Sequence, residues 1–413
     1  MRSLCIVFVA FGALACREPG QPDIPPPISV SAWSATVDTL PGTYTRVMSP
    51  AEFRDSLLIV PDVADGVVWR VNVRQHSRVA FGSKGNGPGE YQRAGWAVRL
   101  HQDSVALLWG SSHFPFPVLS VESGRGRTHA LIRPTSGDAL SAAMASGMAP
   151  LLRLADTLGH IYGASSMRLA SAGEGVGPSV TLDTQPVVRF STTTTAIDTL
   201  LLSPIGVPVV PTGRDADGAM TFGMSMGPYA PYNDWYAFAD GRLAHVDAAR
   251  YHVRLMNSSG EPLGAWTMSS RQIPVSDSGW QRYVQRTTNN SIAMVKRSVG
   301  QLEAQMGQKM KGIQAPRYVV PGRPRQLPEV NFGGGVRQMH GYGQTLWIPV
   351  HVIDPPDAEY WDVIDLAQGV RVTTIAMPVN HRLVHVTPRG AYVVAKDDDD
   401  VERILLYRTR GAR

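Results

Sequence analysis

The chain has 413 residues, of which 43% are hydrophobic and 18% are charged, and its formal net charge at pH 7 is +5. This composition allows a large buried core and excludes an intrinsically disordered protein. The charge is small for the length, and Lys and Arg form no blocks interleaved with aromatic residues, so we expect no nucleic-acid partner.

The first sixteen residues have the pattern of an export signal. A short positive start at residues 1–3 precedes an apolar run from Leu4 to Leu14, which is shorter than the roughly 20 residues of a membrane-spanning helix. Small residues and then Cys16 follow. This ending resembles a bacterial lipoprotein signal, which implies a signal peptide over residues 1–15 and lipidation of Cys16.

The region after the signal is expected to be a tether. Both cysteines, Cys5 and Cys16, lie in the signal region, so we expect neither a disulfide nor a thiolate metal site in the mature chain. Prolines crowd the stretch from Arg17 to Val30 and favour extended polyproline conformation. The sequence therefore predicts a spacer over residues 16–31 that joins a lipid anchor to a folded domain at 32–413.

Short β-type runs separated by turn residues fill most of the folded domain. In chain order they are Ser56–Val60, Val67–Val73, Arg78–Phe81, Trp96–Leu100, Ser104–Trp109, Pro117–Val121, Trp235–Phe238, Leu243–Asp247, His252–Asn257, Leu263–Met268, Thr345–Val352, Tyr360–Leu366, Val370–Met377, Arg382–Thr387, Ala391–Lys396 and Val401–Tyr407. Many antiparallel strands of even spacing with few helices predict a sandwich, a barrel or a propeller.

Short repeats favour the propeller. Gly85–Pro88 is echoed at 175–178, ninety residues later, and more weakly at 226–228. Propeller blades repeat at about 40–50 residues, so these offsets correspond to two blades and one blade. The tight glycine-rich turn with Pro88 is expected to connect two blades, and Glu90 is expected to bond nearby backbone.

One segment breaks the β pattern and predicts a helical insertion over residues 276–312. Ser278 followed by Gln281 suits a capping box at its start. Steps of four and three place five apolar residues on one helical face, which we expect to pack on the β domain. These residues are Val295, Val299, Leu302, Met306 and Met310.

Two stretches carry a family resemblance. The run from Phe81 to Tyr91 resembles the blade-end signature of bacterial six-bladed β-propellers of the NHL-repeat and TolB-like kind, and the stretch from Tyr360 to Tyr407 is similar to the last blades of exported propellers in that group. The resemblance implies an all-β, six-bladed propeller, with seven blades as the alternative. It also implies a ring closed by an N-terminal strand that pairs into the final blade.

Catalytic motifs are weak. Gly223–Gly227 matches the G-x-S-x-G pattern around Ser225, but Pro228 follows and no helical period comes after it, whereas a nucleophile elbow opens a helix. We interpret Ser225 as a turn residue and assign no chemistry to the protein.

Metal motifs are equally weak, and we expect no cofactor. No His-Glu-x-x-His motif or cysteine pair exists, and His381 and His385, four residues apart, fall in a strand pattern. The residues that are eligible by type alone for a central metal site are Asp62, Asp65, Asn233, Asp234 and Asp354. The acidic run Asp397–Asp400 is interpreted as a solvated hairpin turn.

The densest aromatic cluster spans residues 229–238. Blade packing explains most of it, and Tyr229 and Tyr232, in the preceding loop, with Asp234, are predicted to contact a ligand. The predicted function is binding of a ligand or an envelope protein by a lipid-anchored propeller at the cell envelope. The alternatives are a propeller hydrolase or lactonase with a central metal, and a structural envelope scaffold.

Overall fold

Short antiparallel strands dominate the part of the chain that the structure describes, which confirms the predicted all-β class. The structure is a computed structural model. It describes residues 24–54, 56–109, 116–129, 151–164, 184–194, 197–204, 209–214, 220–224, 232–286, 288–289, 317–318, 323–332, 338–354 and 356–409. None of the helices within these ranges is long and apolar enough to cross a membrane.

Six blades follow one another along the chain, as predicted, and form a β-propeller. Blade 1 comprises β3 (Ala51–Phe53), β4 (Leu57–Asp62), β5 (Val67–Asn72) and β6 (Ser77–Ala80); blade 2 comprises β7 (Trp96–His101), β8 (Ser104–Leu108), β9 (Phe116–Ser120) and β10 (Gly126–His129). Blade 3 comprises β11 (Leu151–Ala155), β12 (His160–Ala164), β13 (Thr184–Ser191) and β14 (Ile197–Pro204); blade 4 comprises β17 (Asp234–Ala237), β18 (Leu243–Asp247), β19 (His252–Met256) and β20 (Pro262–Thr267). Blade 5 comprises β24 (His340–Tyr342), β25 (Thr345–Val350), β26 (Glu359–Asp365) and β27 (Val370–Met377), and blade 6 comprises β28 (His381–Thr387), β29 (Gly390–Lys396), β30 (Glu402–Thr409) and β2 (Ser34–Thr39).

The ring is closed by the two ends of the folded domain. Strand β2 pairs antiparallel with β30 from Ser34 opposite Thr409 to Thr39 opposite Leu405. The terminal hairpin β29–β30 therefore shares a blade with an N-terminal strand, as predicted, and β2 is the outer strand of that blade. Closure removes an open sheet edge at the seam between first and last blades.

The chain joins the propeller at Ile28, inside the region expected to be a tether. Strand β1 (Ile28–Ser29) runs parallel to β27, and a single helical turn, α1 (Val30–Trp33), follows. Val30 is 3% exposed, and the Trp33 ring packs edge-on against Trp347 with a centroid separation of 5.1 Å. Cys16 lies outside the described residues.

Hydrophobic clusters fill the spaces between neighbouring blades. Ile59 of blade 1 and Val105 of blade 2, for example, belong to one cluster and are both fully buried. The middle strands of a blade are covered on both faces by the neighbouring blades. The middle strand β4 is therefore buried along nearly its whole length, whereas three of the four residues of the outer strand β6 are exposed.

The glycine-rich loop after blade 1 connects it to blade 2, as predicted. The Glu90 carboxylate accepts a hydrogen bond from the Gly87 backbone N–H at 2.7 Å, and this bond closes the turn. Gly89 has φ +77°, and a Cβ there would lie 2.3 Å from the Gly126 carbonyl oxygen of blade 2. The loop therefore serves blade packing and not phosphate binding.

Two small sheets lie outside the blades. One comprises β15 (Val209–Arg214), β16 (Met220–Met224) and β22 (Arg317–Tyr318), and the other pairs β21 (Ile273–Pro274) with β23 (Gln326–Leu327). The second sheet joins the two ends of the predicted insertion. A helix, α2, begins there and is described over 277–286. The five residues of the predicted apolar face lie outside the described residues.

The start of α2 differs from the predicted capping box. Ser276, not Ser278, is the N-cap, because its hydroxyl accepts a hydrogen bond from the Gly279 N–H at 2.9 Å. The Asp354 carboxylate accepts from the Ser276 N–H at 2.7 Å and so fixes the cap to blade 5. Sequence spacing offered both serines as caps, and the remote Asp354 carboxylate, which also accepts from the Ser276 hydroxyl, holds Ser276 in the N-cap position.

The two faces of the ring differ in the length of their connections. Turns from first to second and from third to fourth strands lie on one face and are all short, such as 102–103 and 343–344. Connections between blades, and from second to third strands, leave the opposite face, where the long segments 81–95 and 268–339 begin and end. We call this the long-connection face, and long loops on a rigid scaffold are a common place for binding residues.

Candidate functional site

The first strand of every blade borders the central axis, and each carries at least one charged or imidazole side chain. Inner strands β3, β7 and β11 pack side by side, as do β11 with β17 and β24 with β28. We call the following six residues the axial ring: Glu52, Arg99, Arg153, Asp234, His340 and His385. Such residues in otherwise apolar strands are the most informative feature of the axis.

Arg153 and Asp234 form the best-defined pair of the ring. An Arg153 guanidinium nitrogen lies 2.7 Å from Asp234 Oδ1, with side-chain exposures of 17% and 9%. The same guanidinium donates to the Trp235 carbonyl oxygen and lies 4.4 Å from the Trp235 ring centroid. A cation–π contact and an ion pair therefore hold Arg153 between blades 3 and 4.

Glu52 occupies the opposite part of the ring. Its Oε1 accepts a hydrogen bond from the Tyr392 hydroxyl at 2.8 Å and lies 3.5 Å from a guanidinium nitrogen of Arg389. Burial and the Glu52 charge both raise the pKa of Tyr392, so this hydroxyl stays a donor. Arg389 stands in the short turn after inner strand β28 and adds a third arginine to the axial region.

Two histidines complete the ring and are neutral at neutral pH. Burial, and secondarily the nearby His385, lower the pKa of His340 to about 3, and Arg153 and Arg382 act in the same direction. Burial lowers the pKa of His385, while Glu52 opposes this shift. Burial is therefore the main cause of the lowered pKa of His340, and Arg153, two blades away, adds to it.

Several polar atoms of the axial region are buried without a hydrogen-bond partner among the described residues. They are Arg99 Nε, Arg153 Nε, Asp234 Oδ2 and Arg389 Nη2. A buried polar group without a hydrogen-bond partner lowers the stability of the fold. A region with several such groups is therefore a candidate functional site.

The residues that were predicted to contact a ligand lie in different environments. Asp234 lies in the axial ring, on β17, while Tyr232 is partly buried and packs on the hydrophobic cluster between blades 4 and 5. Trp235 and Phe238 are buried in blade packing, as expected for most of the aromatic cluster. Tyr229 lies outside the described residues.

Three of the residues that were eligible for metal by type, Asp62, Asn233 and Asp354, accept hydrogen bonds from backbone N–H groups. The Asp62 carboxylate accepts from the Thr45 and Arg46 N–H groups, both at 2.9 Å, and the Asn233 amide oxygen accepts from the Ala248 N–H at 2.9 Å. Within the described ranges no group of three or more His, Cys, Asp or Glu residues could hold a metal ion. The two axial carboxylates are each matched with an arginine instead.

A buried serine–histidine pair does not form a nucleophile. Ser203 and His245 are fully buried, and Ser203 Oγ lies 2.9 Å from His245 Nε2. The Arg254 guanidinium donates to His245 Nδ1 at 3.2 Å, so the proton of the neutral ring is on Nε2 and points at the serine. A general base would need an unprotonated Nε2 facing the serine hydroxyl. The hydrogen bond between Ser203 and His245 instead joins blade 3 to blade 4.

A second charged cluster lies between blades 4 and 5, where the two ends of the insertion meet the propeller. We call it the stem network; its members are Tyr251, Arg271, Glu329, Asp362, Arg371 and Thr374. Asp362 Oδ2 accepts from the Tyr251 hydroxyl at 2.7 Å, and Asp362 Oδ1 accepts from the Thr374 hydroxyl at 2.6 Å. Glu329 binds both arginines, and the two carboxylate side chains are fully buried.

The ring residues other than Asp234 were missed by sequence reasoning. A usable signal existed: single polar residues interrupt apolar inner strands, as in Leu-Leu-Arg153-Leu-Ala and Leu-Val-His385-Val. Such residues are expensive to bury unless they are paired or face a polar space. Reading these interruptions requires knowing which strand of each blade is innermost.

Comparisons with known proteins find only distant structural similarity. No family model and no curated protein matches the chain. Among solved structures it is similar to a member of the DUF4221 family from Bacteroides vulgatus, with 8% identity over 91% of this chain and 97% of that chain and a TM-score of 0.48. A candidate exported protein of Bacteroides fragilis shares 11% identity over 94% and 98% of the two chains, with a TM-score of 0.46.

The calcium-binding protein regucalcin from Agrobacterium tumefaciens is similar at 9% identity over 90% of this chain and 93% of that chain, with a TM-score of 0.36. Likenesses this distant say nothing about function. The assignment of six blades rests on the sheet topology of the chain itself.

Proposed function

We propose that this chain is an exported, lipid-anchored propeller of the NHL-repeat and TolB-like kind that binds a ligand at the axis. The observation that carries the proposal is the axial ring: each of the six inner strands around the axis carries a charged or imidazole side chain. Pockets with a few convergent polar groups on a rigid scaffold are typical of ligand binding. The long-connection face offers the larger loops that would complete the site.

A binding test should compare axial and surface variants. The mature protein is screened by thermal shift against a set of amino acids, sugars and organic acids, alongside Arg153→Gln and the control Arg250→Gln. Arg250 suits as a control because its side chain is 82% exposed. We expect at least one compound to stabilise the native protein and the control but not the axial variant. Stabilisation that survives in Arg153→Gln and in His385→Gln would point to a scaffold whose ligands bind elsewhere.

The anchor is tested separately. The sequence pattern supports lipidation of Cys16, so Cys16→Ala should move the mature protein from the membrane fraction to the soluble fraction. Recovery of the unaltered protein as soluble chain that starts at residue 16 would instead indicate ordinary secretion.

The hydrolase alternative has no supporting constellation among the described residues, because the Ser203–His245 pair is buried and has the wrong tautomer. Ser225 lies outside those residues, and its interpretation as a turn residue stays a prediction. We expect no labelling of Ser225 by a fluorophosphonate probe. Labelling that is lost in Ser225→Ala would move the protein to the enzyme class.

A further inference from the structure

A cavity of about 370 Å³ lies between blades 2 and 3. We call it the blade 2–3 cavity. It is lined by short turns on the face opposite the long-connection face and by the outer strand of blade 2, and no residue of the axial ring lines it. Small-molecule sites have volumes of roughly 300–1,000 Å³. The cavity is therefore separate from the axial ring and large enough to hold a ligand of its own.

The outer strand β10 turns its polar side chains towards this cavity. In the antiparallel register of β9 and β10, Arg127 lies opposite Val118 and His129 lies opposite Phe116. Directly opposite residues share one face of a sheet. Phe116 and Val118 pack in the hydrophobic cluster between blades 2 and 3, so Arg127 and His129 also face blade 3. Arg125 lines the same cavity from the turn before the strand.

The guanidinium groups in the lining of this cavity have no acid to match them. Its charged lining residues are Arg125 and Arg127, and its lining contains no carboxylate. Within the described part of the chain no carboxylate forms an ion pair with either arginine. Asp103 accepts a hydrogen bond from the Ser104 hydroxyl at 3.2 Å and lines the neighbouring cavity instead. The blade 2–3 cavity therefore favours a ligand that brings negative charge.

Two further polar groups of the lining have unused hydrogen-bonding capacity. His129 Nε2 is buried without a partner among the described residues. Burial lowers the pKa of His129, and the charge of Arg127 acts in the same direction, so the ring is neutral near pH 7. The Ser120 hydroxyl accepts from the Ser123 N–H at 3.4 Å and can donate its own proton to a further acceptor. Donors of these kinds suit a group with several acceptor oxygens.

The neighbouring cavity between blades 1 and 2 differs in its charge. It measures about 390 Å³, and its charged lining residues are Arg54, Arg70, Asp103 and Glu122. The Arg70 guanidinium also donates to the Glu122 carbonyl oxygen at 2.6 Å. Two cations and two carboxylates line this cavity, whereas two cations and no carboxylate line the blade 2–3 cavity. An arginine of the balanced cavity therefore provides a matched control.

We propose that the blade 2–3 cavity binds a small phosphorylated molecule, whose phosphoryl group contacts the guanidinium groups of Arg125 and Arg127. This binding is additional to the proposed axial function and independent of it. A phosphate dianion matches two positive charges, and guanidinium groups form strong charge-assisted hydrogen bonds with phosphate oxygens. Thr192 and Thr193 line the cavity from blade 3 with hydroxyl groups, which suit a polar remainder such as that of a sugar phosphate.

The test uses the mature protein and two matched pairs of probes: glucose 6-phosphate with glucose, and glycerol 3-phosphate with glycerol. Inorganic phosphate is a fifth probe, and ionic strength is held constant with sodium chloride. Isothermal titration calorimetry measures the dissociation constants. We expect the phosphate esters to bind, inorganic phosphate to bind more weakly and the uncharged members not to bind. Arg127→Gln should raise the dissociation constant of the better ester about tenfold or more.

Three further variants make the result specific. Arg125→Gln should also weaken binding, and Arg127→Lys, which keeps the charge but loses the planar fork, should lie between the native protein and Arg127→Gln. Arg54→Gln is the control from the balanced cavity and should leave binding unchanged. Arg54, Arg125 and Arg127 are all exposed, so the substitutions should preserve the fold, which thermal unfolding without ligand checks.

Several outcomes would overturn the inference: no binding of either ester, normal binding by folded Arg125→Gln and Arg127→Gln, or equal binding of the uncharged members. Inorganic phosphate that binds as tightly as the esters would identify a site for the free ion and would overturn the assignment to a phosphorylated molecule. Arg153→Gln should not affect ester binding. Ester binding that is lost in Arg153→Gln and kept in Arg127→Gln would place the ligand at the axis, so the proposed function would stand and this inference would fail.

Discussion

The stem network and the axial ring are both buried collections of arginine and carboxylate, yet they are built differently. In the stem network every carboxylate oxygen of Glu329 and Asp362 has a partner, and two arginines match two acids. In the axial ring Asp234 Oδ2 has no hydrogen-bond partner, and once the neighbouring Arg389 is counted three arginines accompany two carboxylates.

The difference supports the proposal that the axial ring binds a ligand, whereas the stem network serves stability. Unused donors alone do not mark a site, because Arg371 Nη1 of the stem network is also buried without a hydrogen-bond acceptor among the described residues. Charge balance and fully used carboxylates are what the axial ring lacks. A cluster that serves only stability has no reason to keep an unmatched charge, since its burial is costly.

The largest expected effect is in the stem network. Asp362→Ala removes the acceptor of Tyr251 and Thr374 and leaves two arginines facing one acid, so the free energy of unfolding should fall by about 3–5 kcal/mol. Urea denaturation measures this value. Asp277→Ala is the control: its side chain is 85% exposed and pairs only with Arg323, so the loss should be below about 1 kcal/mol. Equal losses would show that the network contributes no more than a surface pair.

Acid should weaken the axial ring through His340. The His340 imidazole takes up a proton near pH 6.5 in the unfolded chain and only near pH 3 in the folded protein. The unfolded state therefore binds more protons between these two pH values. Stability is therefore complete above about pH 6.5 and falls by about 1.4 kcal/mol per pH unit towards pH 3. Burial also lowers the pKa of His245, to about 4, and adds a similar slope.

His340→Gln should reduce that slope and leave the stability at pH 7 nearly unchanged, because an amide can still donate to the Leu383 carbonyl. Urea denaturation at pH 7, 6, 5 and 4 measures the slope. The control is His76→Asn, since His76 is exposed and its φ of +48° suits asparagine. An unaltered slope in His340→Gln would mean that His340 is not the group that titrates.

The smallest effect is expected at Asp234. Asp234→Asn keeps the shape and weakens the pair with Arg153, and the adjacent Trp235 carbonyl and ring still hold that guanidinium. The free energy of unfolding should fall by about 1 kcal/mol or less, while Asp362→Asn should cost more. If the two substitutions cost the same, the axial pair is as structural as the stem network.

Much of the strand arrangement could be predicted from the sequence where alternation and turns are both strong. The strands β18 and β27 begin and end where the sequence predicted, and the hairpin turn at Asp397–Asp400 is confirmed by the Asp397 side chain accepting from the Val401 N–H. Blade 3 was missed, because its strands β13 and β14 carry Pro, Ser and Thr where apolar residues were sought.

A second sequence repeat, which marks the turns after the third strands, was also missed. A short polar residue at or directly after the end of the third strand of several blades accepts an N–H of the next turn, as Asn72, Asn257 and Asp365 do. Three or four residues later the chain takes positive φ, for example at His76 and Gly369. This pattern recurs because each of these hairpins reverses the chain with a similar turn. It marks the blades more consistently than the Gly-Pro matches do.

The sequence by itself determined the all-β class, the limits of many strands and the closed ring, because alternation, turn chemistry and edge protection act over short distances or through chain order. The axial ring depended on tertiary structure, since residues from Glu52 to His385 converge only when six blades surround one axis. The stem network did too: Arg271 and Glu329 are 58 residues apart and meet because the insertion returns to its own base. Whether two opposite charges pair depends on the distance between them in the folded structure, and the spacing of residues along the chain does not encode that distance.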